Sequence, residues 1–458
     1  MNTISEIEQL REKQLAFFNT GITREVAFRK DALKKLRAAI IANEPDIKTA
    51  LKKDLNKSSF EVYATEIGIV LAEISTQIRH LAKWAKPKRV KTPLFAFPSA
   101  SYIYPEPYGR VLVISPWNYP FQLPMVPLVG AIAAGNVAVI RQSRNSPATN
   151  EVIKRILSSS LAEEHAAVIE CDIQTAEEAL RHRWDLIFFT GSTQVGRKIY
   201  SDAARHLTPV VLELGGKSPV IVDSDANIPI AARRIVWGKN INAGQTCISP
   251  DYVLVHEDVK QALVDAVISE IRSMYGDDPV KNPDYPRVIN EKAFDRLCCF
   301  IRENKVLAGG NSDRQTLVIE PTVIEPVEGS SVMTEEIFGP VLPVRTFRSL
   351  DEAISNVRAG EKPLAIYYFS ENRLNQKRLM KETSSGAFLV NDLILHIANK
   401  NLPFGGVGES GLGRYHGKES FRSFSNLKAV MKTSTIIDIP IKYPPFGKKE
   451  RLIKWFLK

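Results

Sequence analysis

The sequence predicts an α/β protein built around parallel β-sheets, and two observations support this class. Short runs of apolar, often β-branched residues recur along the chain, and segments with helical spacing separate them. Continuous apolar runs of this length indicate strands that are buried on both faces, as in a parallel sheet covered by helices. A doubly wound sheet of this kind is typical of nucleotide-binding proteins, although the fold alone assigns no function.

The elements are expected in a definite order. Up to Trp84 the chain is predicted to be helical because apolar residues recur at three- and four-residue spacing, among them Ile67, Val70, Leu71, Ile74, Ile78 and Leu81. A first strand series is predicted at residues 111–114, 137–140, 167–170, 186–189 and 210–213. A second series is predicted at 218–223, 252–256, 341–347 and 364–369, closed by the glycine-rich turn 403–413. Two such units predict a shared cleft for a cofactor and a substrate.

Composition and length exclude several classes of protein. The chain has 458 residues, 44% of them hydrophobic and 24% charged, which indicates a soluble globular protein of two or three domains. The N-terminus has no apolar segment of the secretory type, so a cytoplasmic location is expected. Residues 111–140 carry no charge and are long enough to cross a membrane, but their prolines and polar side chains favour a strand, a loop and a helix.

The net charge of +10 is concentrated in two basic segments, residues 79–91 and 442–458. Because the rest of the chain is close to neutral, no general nucleic-acid-binding protein is indicated. The last eight residues, 451–458, alternate basic and apolar side chains. This pattern fits weak contact with an anionic membrane surface, or a tail docked on its own subunit.

The four cysteines are expected to be reduced thiols, since the chain shows no disulfide framework. No CxxC pair or histidine cluster is present, so no metal site is expected. Cys171 at a strand end, and Cys298 and Cys299 in a helix, are typical of buried structural cysteines. Cys247 instead follows the small polar loop NAGQT, which favours a reactive thiol. Such a thiol needs local positive potential or a base to increase its thiolate fraction.

Two further residues have the character of catalytic groups. Glu213 ends an apolar strand directly before a Gly-Gly turn, where partial desolvation is expected to raise its pKa towards that of a general base. A surface glutamate at a strand end is the alternative. Asn118 lies on a proline-bounded loop after the first strand of the series, and its amide could donate to an oxyanion. An Asx-turn residue is the alternative there.

The segment FFTGSTQVG, residues 188–196, passes from a buried strand through a glycine-bracketed turn into a helix. Gly191 is expected to permit an unusual turn and close backbone approach. The helix N-terminus offers free amides to an anion such as a pyrophosphate, with Ser192 as an added donor. Strand, glycine and helix also follow one another in many proteins without a ligand, so this signal is weak by itself.

Six motifs taken together carry a specific resemblance. WNYPF, FTGSTQVG, ELGGKSP, NAGQTCISPDYVL, EEIFGP and PFGGVGESG occur in this order over residues 117–411 and resemble the aldehyde dehydrogenase superfamily. EKPLAIYYFS, GRYHGKESFRSFS and KYPP resemble its class 3 branch and extend the similarity over nearly the whole chain. The resemblance implies NAD(P)-dependent oxidation of an aldehyde to its acid, with medium- or long-chain aliphatic or aromatic aldehydes as substrates.

The resemblance also implies roles for individual residues. Cys247 would attack the aldehyde and form a thioester, Asn118 would bind the oxyanion, and Glu213 would activate the hydrolytic water. The residues expected to contact the cofactor are Trp117, Gly191, Ser192, Gly196, Glu336 and Phe338, with Glu336 holding the nicotinamide ribose.

Domain boundaries follow from the same resemblance. A dinucleotide-binding domain is expected over residues 1–84 and 106–214, and a catalytic domain over 215–408. An oligomerisation element is expected over 85–105 and 409–445, followed by a basic amphipathic tail over 446–458. Because a strand pair near 85–105 and a C-terminal strand near 426–437 would form this element, a homodimer is expected.

One departure from the family pattern bears on the cofactor. Where many relatives read KPSE after the second strand, this chain reads RQSR, residues 141–144. Arg141 and Arg144 could flank the 2′-phosphate of NADP, for which planar guanidinium groups are suited. We therefore expect NADP to be used at least as well as NAD, unless Arg144 points into solvent.

Two other functions remain open on the sequence. A relative that forms acyl-coenzyme A or reduces acyl groups is disfavoured because Glu213 is retained. A non-catalytic, basic surface-binding protein is disfavoured because Cys247, Glu213 and Asn118 are all present.

Overall fold

A computed structural model of the chain describes residues 2–170, 172–451 and 454. Cys171 and most of the C-terminal segment 451–458 lie outside the described residues, and so do the predictions made for them. The α-helices of the described part are α1 Ile4–Asn19, α2 Val26–Ala42, α3 Glu44–Leu55, α4 Ser59–Val62, α5 Gly68–Trp84, α6 Gln122–Ala134, α7 Pro147–Ser160, α8 Ile173–Arg181, α9 Thr193–Ala204, α10 Ile228–Asn240, α11 Lys260–Tyr275, α12 Glu291–Glu303, α13 Leu350–Ala359, α14 Arg373–Glu382 and α15 Lys418–Ser423.

The strands of the described part confirm both predicted series and add shorter members. They are β1 Lys88–Val90, β2 Ser99–Pro107, β3 Arg110–Ile114, β4 Val137–Arg141, β5 Ala166–Ile169, β6 Leu186–Thr190, β7 Val210–Glu213, β8 Pro219–Val222, β9 Tyr252–His256, β10 Lys305–Ala308, β11 Ser312–Asp313, β12 Val318–Ile319, β13 Thr322–Glu325, β14 Val341–Phe347, β15 Ala365–Phe369, β16 Ala387–Val390, β17 Gly411–Leu412 and β18 Ser425–Thr433.

The first sheet has the strand order β17-β7-β6-β3-β4-β5. Strands β3 to β7 are parallel, whereas β17 pairs antiparallel with β7 at one edge. The chain moves outward from β3 in one direction through β4 and β5, and in the other through β6 and β7. Loops that leave adjacent strands in opposite directions open a crevice at the carboxyl edge of such a sheet, where ligands bind.

The second sheet has the order β10-β13-β14-β9-β8-β15-β16, with all pairs parallel except β10 with β13. A third, antiparallel sheet has the order β1-β2-β18, and its longest pairing matches nine residues of β18 with β2. The molecule therefore has the α/β architecture expected from the sequence, with two mainly parallel sheets and a small antiparallel one.

The uncharged stretch 111–140 forms β3, a loop, α6 and most of β4, as predicted. Every side chain of α6 is buried, including Pro124 and Pro127. Among the described residues, no helix is both long enough and apolar enough to cross a membrane. The helical stripe predicted before Trp84 is also found, since Val70, Ile74 and Leu81 of α5 are fully buried.

The prediction that the glycine-rich turn 403–413 closes the second strand series is wrong. Its last residues form β17, which pairs with β7 of the first sheet, so that Gly411 lies opposite Glu213. Within the segment 409–445, β17 belongs to the first sheet and β18 belongs to the antiparallel sheet. A strand of two residues is too short to show a periodicity in the sequence. Its pairing with β7 depends on distant backbone groups, so it could not be predicted.

Candidate active site

The residues expected to form a site are grouped at the carboxyl edge of the first sheet. Glu213 and Arg141 are the last residues of β7 and β4, and the other groups lie at or after the ends of β3, β4 and β6 in the chain. These others are Trp117, Asn118, Arg141, Arg144, Gly191 and Ser192. Parallel strands bring their carboxyl ends to one edge, so residues far apart in the sequence share one crevice.

Cys247 reaches this edge from the other unit of the protein. It follows α10 and a turn in which Asn242 and Ala243 adopt left-handed backbone conformations, with φ of 51° and 50°. The carboxamide nitrogen of Asn118 donates to the carbonyl oxygen of Gln245 at 3.0 Å, and Asn118 is buried. A carboxamide nitrogen carries two hydrogens, so one remains to be donated to a ligand beside Cys247.

The thiol of Cys247 lacks the positive surroundings that the sequence argument required. Burial, together with the carboxylates of Glu336 and Glu213, raises its pKa to about 12. Its own backbone amide and that of Ile248 oppose this rise. The loop is polar in sequence, but tertiary packing covers it and brings two acidic groups near the sulfur. The reactivity of Cys247 stays a prediction from the sequence.

Glu213 is buried, and neither of its carboxylate oxygens has a hydrogen-bond partner in the described part of the chain. Burial raises its pKa well above the usual value, while Arg414 acts in the opposite direction. The predicted direction of this shift is confirmed. The alternative of a surface glutamate is excluded by the burial.

An apolar cavity of about 170 Å³ contains both Cys247 and Glu213 in its wall. Its other walls are largely hydrophobic and include Leu123, Trp237, Ile241, Ile394, Ile397 and Phe404. Thr190, at the end of β6, also lines this cavity, and its hydroxyl is buried without a partner among the described residues. The thiol and the carboxyl thus face a space suited to an apolar molecule.

The turn after β6 carries α9 close to the first sheet. Gly191 is not in a left-handed conformation, contrary to the unusual turn expected for it. A β-carbon there would lie 2.5 Å from the ring of Phe189, and one at Gly196 would lie 2.6 Å from the side chain of Leu214. Both glycines therefore serve close packing. The hydroxyl of Ser192 caps α9 by accepting from the amide of Val195 at 3.5 Å.

A second, polar cavity of about 620 Å³ adjoins these residues and is lined by Glu336 together with Gly215, Gly216 and Thr193. One carboxylate oxygen of Glu336 accepts from the amide of Gly216 at 3.1 Å. Burial and the neighbouring Asp251 raise the pKa of Glu336 to about 7. A β-carbon at Gly215 would lie 2.2 Å from this carboxylate, so the glycine is required for the approach.

Phe338 and Trp117 meet near the same region, with ring centroids 5.6 Å apart in an edge-to-face arrangement. Phe338 has a left-handed backbone, with φ of 49°, which side chains of its size rarely adopt. Strain of this kind in a folded protein often marks a functional site. The two rings connect the loop after β3 with the segment that carries Glu336.

The two arginines of the RQSR segment differ in their surroundings. Arg141 ends β4 and is half-buried, and its Nε atom is buried without a partner among the described residues. Arg144 is exposed in the turn that follows. Hydrogen bonds from Thr175 lower the pKa of Asp172, and Arg144 adds to this effect, so a carboxylate lies in the neighbourhood of Arg144.

Sequence reasoning did not find the groups that hold the Asn118 loop in place. The buried ammonium of Lys57 donates to the carbonyl oxygen of Asn118, and the Tyr119 hydroxyl is hydrogen-bonded to Thr246 at 2.6 Å. Lys57 precedes Asn118 by 61 residues, and no local pattern connects them. Among the described residues, no group of three or more metal-ligating side chains is found.

Comparison with known proteins identifies what the chain resembles. Residues 6–430 match the model of the aldehyde dehydrogenase family. The chain is 47% identical over 455 residues to 4,4'-diaponeurosporen-aldehyde dehydrogenase of Staphylococcus aureus, covering 99% of both chains. It is 42% identical to a dimeric, NADP-preferring aldehyde dehydrogenase of Canis lupus familiaris, covering 96% of this chain and 98% of the relative.

A solved structure, the substrate-bound state of Staphylococcus aureus AldH, superimposes on the present one with a TM-score of 0.97. The two sequences are 46% identical, and the match covers 100% of each chain.

Proposed function

The chain belongs to the aldehyde dehydrogenase family, whose members oxidise aldehydes to acids with NAD(P), and we propose that it does so through a thioester on Cys247. The observation that supports this most is the shared cavity: Cys247, one of three half-buried cysteines among the described residues, lines it together with Glu213. Asn118 is hydrogen-bonded to Gln245, two residues before Cys247. A soft nucleophile, an amide donor and a carboxyl base are the groups that thioester chemistry requires.

Cys247 acts as the nucleophile in this proposal. Its sulfur attacks the aldehyde carbon, and the carbonyl oxygen becomes an oxyanion that accepts from the free carboxamide hydrogen of Asn118 and from the backbone amide of Cys247. A bound nicotinamide would supply the acceptor for the hydride that the carbon of this adduct loses. Burial raises the pKa of Cys247. The positive charge of an oxidised nicotinamide ring near the sulfur would lower this pKa and favour the thiolate.

Glu213 acts as the base that releases the acid. It removes a proton from water, and the hydroxide attacks the thioester carbon while the sulfur of Cys247 leaves. Glu213 and Thr190 both line the cavity, and the two carboxylate oxygens and the hydroxyl are buried without partners among the described residues. Buried polar atoms of this kind are suited to holding a water molecule.

The cofactor would occupy the polar cavity beside Glu336. Glu336 would hold the nicotinamide ribose, Phe338 would contact the cofactor, and Trp117 would line the pyrophosphate side. Gly191, Ser192 and Gly196 would place the N-terminus of α9 near the pyrophosphate, where the amides of Thr193 and Gln194 have no acceptor in the described part of the chain. Glu336, Lys217 and Thr193 give this cavity polar groups suited to a dinucleotide.

For the cofactor preference, NADP is proposed to be used at least as well as NAD. The unpartnered Nε of Arg141 and the exposed guanidinium of Arg144 supply two cationic groups after β4. The relative from Canis lupus familiaris, which is named as NADP-preferring, is consistent with this choice.

The substrate is proposed to be a medium- or long-chain aliphatic or aromatic aldehyde. The walls of the cavity at Cys247 are mainly apolar, which favours a hydrocarbon over a sugar or an amino acid. The relative from Staphylococcus aureus is named for an aldehyde of a carotenoid.

The protein is proposed to form a homodimer through the antiparallel sheet. Exposed apolar side chains are grouped on this sheet and its connections, namely Leu94, Phe95, Phe97, Met431 and Ile436. Strand β18 is also an edge strand, with backbone groups available for pairing. Large apolar surfaces of this kind mark interfaces, and the relative from Canis lupus familiaris is named as dimeric.

One assay tests the reaction and the nucleophile together. Reduction of NAD+ and NADP+ is followed with hexanal, tetradecanal, benzaldehyde and a small polar aldehyde. The wild-type protein should form free acid without coenzyme A, and Cys247→Ser should abolish turnover because a serine hydroxyl is far less acidic and less nucleophilic than a thiol. Cys298→Ser, at another half-buried cysteine, should keep full activity. Turnover that persists in Cys247→Ser would disprove the proposed nucleophile.

A further inference from the structure

We propose that the buried ion pair between Lys57 and Glu66 is a positioning device, which holds the Asn118 loop in register with Cys247. The inference rests on the oxyanion role proposed for Asn118. It concerns two charged residues that the reaction scheme does not use, and that lie in the N-terminal helical region far from the motifs of the site.

The pair is enclosed completely. The ammonium of Lys57 lies 2.6 Å from a carboxylate oxygen of Glu66, and neither side chain is exposed to solvent. Lys57 lies between α3 and α4, and Glu66 lies in a π-helical turn, Tyr63–Ile67, that leads into α5. Single π-helical turns inside helices are rare and often accompany functional sites.

Both charged groups contact the loop that carries Asn118. The ammonium of Lys57 donates to the carbonyl oxygen of Asn118 at 3.0 Å and lies 3.9 Å from the ring centroid of Tyr119. The second carboxylate oxygen of Glu66 accepts from the amides of Phe121 and Gln122, at 3.1 and 2.8 Å. These two amides belong to the start of α6, so the pair holds the loop and the beginning of the helix behind it.

The same segment also reaches the loop that carries Cys247. Glu61, five residues before Glu66, accepts from the amide of Asn242 at 2.8 Å. The side chain of Asn242 in turn donates to the carbonyl oxygen of Asn118 at 2.7 Å and to that of Gln245 at 3.1 Å. The carbonyl of Asn118 therefore accepts from both Lys57 and Asn242, which joins the two loops at one atom.

Directional bonds explain why charged groups occupy this place. Burying two ions is costly, and a well-packed apolar pair often stabilises a protein as much or more. Apolar packing, however, tolerates small shifts, whereas the three hydrogen bonds from the pair to the 118–122 backbone do not. A catalytic amide must lie within a fraction of an ångström of the developing oxyanion to act on it. Positioning of the loop, rather than a contribution to stability, therefore explains why the pair is charged.

The test compares the pair with the amide it is proposed to position. Lys57→Met combined with Glu66→Gln removes both charges together, so that neither partner is left as the unpaired member of the pair. Its kcat should fall about 10- to 100-fold, while the KM for the dinucleotide changes by less than about twofold. Lys35→Met with Asp31→Asn, an exposed pair on α2, should leave kcat unchanged.

The decisive measurement is the same double change in an Asn118→Ala background. If the pair acts through Asn118, kcat of the combined variant should equal that of Asn118→Ala. Effects that multiply, or a normal kcat when only the pair is removed, would overturn the inference. If Asn118→Ala itself has normal kcat, the proposed function fails instead, so the two failures are distinguishable.

A conservative variant covers the case in which the neutral pair does not fold. Glu66→Asp keeps both charges but shortens the side chain by one methylene, which draws the acceptor away from the amides of Phe121 and Gln122. We expect a smaller loss in kcat, again absent in the Asn118→Ala background. Unchanged kcat in a folded Glu66→Asp protein would contradict a positioning role.

Discussion

The side-chain amide of Asn118 donates to the backbone carbonyl of Gln245 across 3.0 Å, two residues before Cys247. The loop after β3 is therefore hydrogen-bonded to the loop that carries Cys247. Asn118→Ala should lower kcat by about 100- to 1000-fold, because the oxyanion loses one of two donors. The KM for the aldehyde should change little, which steady-state kinetics with one aldehyde can establish.

Asn311→Ala is a matched control, since Asn311 is exposed and remote from the cleft. It should retain the wild-type kcat. If Asn118→Ala raises KM while leaving kcat unchanged, Asn118 contributes to binding and the oxyanion assignment is wrong.

Replacement of Glu213 should separate the two halves of the reaction. Glu213→Gln keeps the shape of the side chain but cannot accept a proton, so the thioester should form and then persist. Rapid mixing should show a burst of reduced cofactor close to one equivalent per site, followed by slow turnover. Unaltered steady turnover in this variant would show that another group activates the water.

The pH dependence should reflect the same carboxyl. Burial raises the pKa of Glu213, so its basic form is present only above the range of an ordinary carboxylate. Hydrolysis of the thioester should therefore increase as pH rises through this pKa, by about tenfold per unit on its acidic side. Single-turnover hydrolysis measured from pH 5 to 9 should show this limb, and Glu213→Gln should lose it.

Cofactor preference should depend on Arg144. Reversal of its charge in Arg144→Glu should reduce kcat/KM for NADP+ relative to NAD+ by about 10- to 100-fold, the value of one charge-assisted contact. Arg373→Glu, an exposed arginine on α14, should leave the ratio unchanged. A wild-type protein that strongly prefers NAD+, or a ratio that Arg144→Glu does not alter, would count against the NADP proposal.

The strands and the family could be predicted from the sequence because both leave recognisable patterns within short segments of the chain. Each buried parallel strand is a continuous apolar run, so the predicted bounds of β3 to β7 differ from the observed bounds by at most one residue at each end. The position of Glu213 at a strand end likewise predicted a raised pKa, which its burial confirms. The six motifs needed only their order and spacing.

Charge near the sulfur could not be read from the sequence, because it comes from groups that folding brings together. The loop before Cys247 is small and polar, and its composition suggested an activated thiol. In the fold, Glu336 and Glu213 approach from positions 89 residues after and 34 residues before it, and burial adds to their effect. A pKa depends on these distances and on the exclusion of water, and neither has a local signature.

Tertiary structure alone also determined how the two loops of the site are held. Lys57, Glu61 and Glu66 read as ordinary charged residues of a helical region, and nothing in their spacing indicates an ion pair without solvent contact. Likewise, Gly411 pairs with Glu213 across almost 200 residues of chain. The sequence by itself determines which segments become strands and helices, since that preference is local. Their long-range pairings are decided by which buried polar groups find partners once the core has closed.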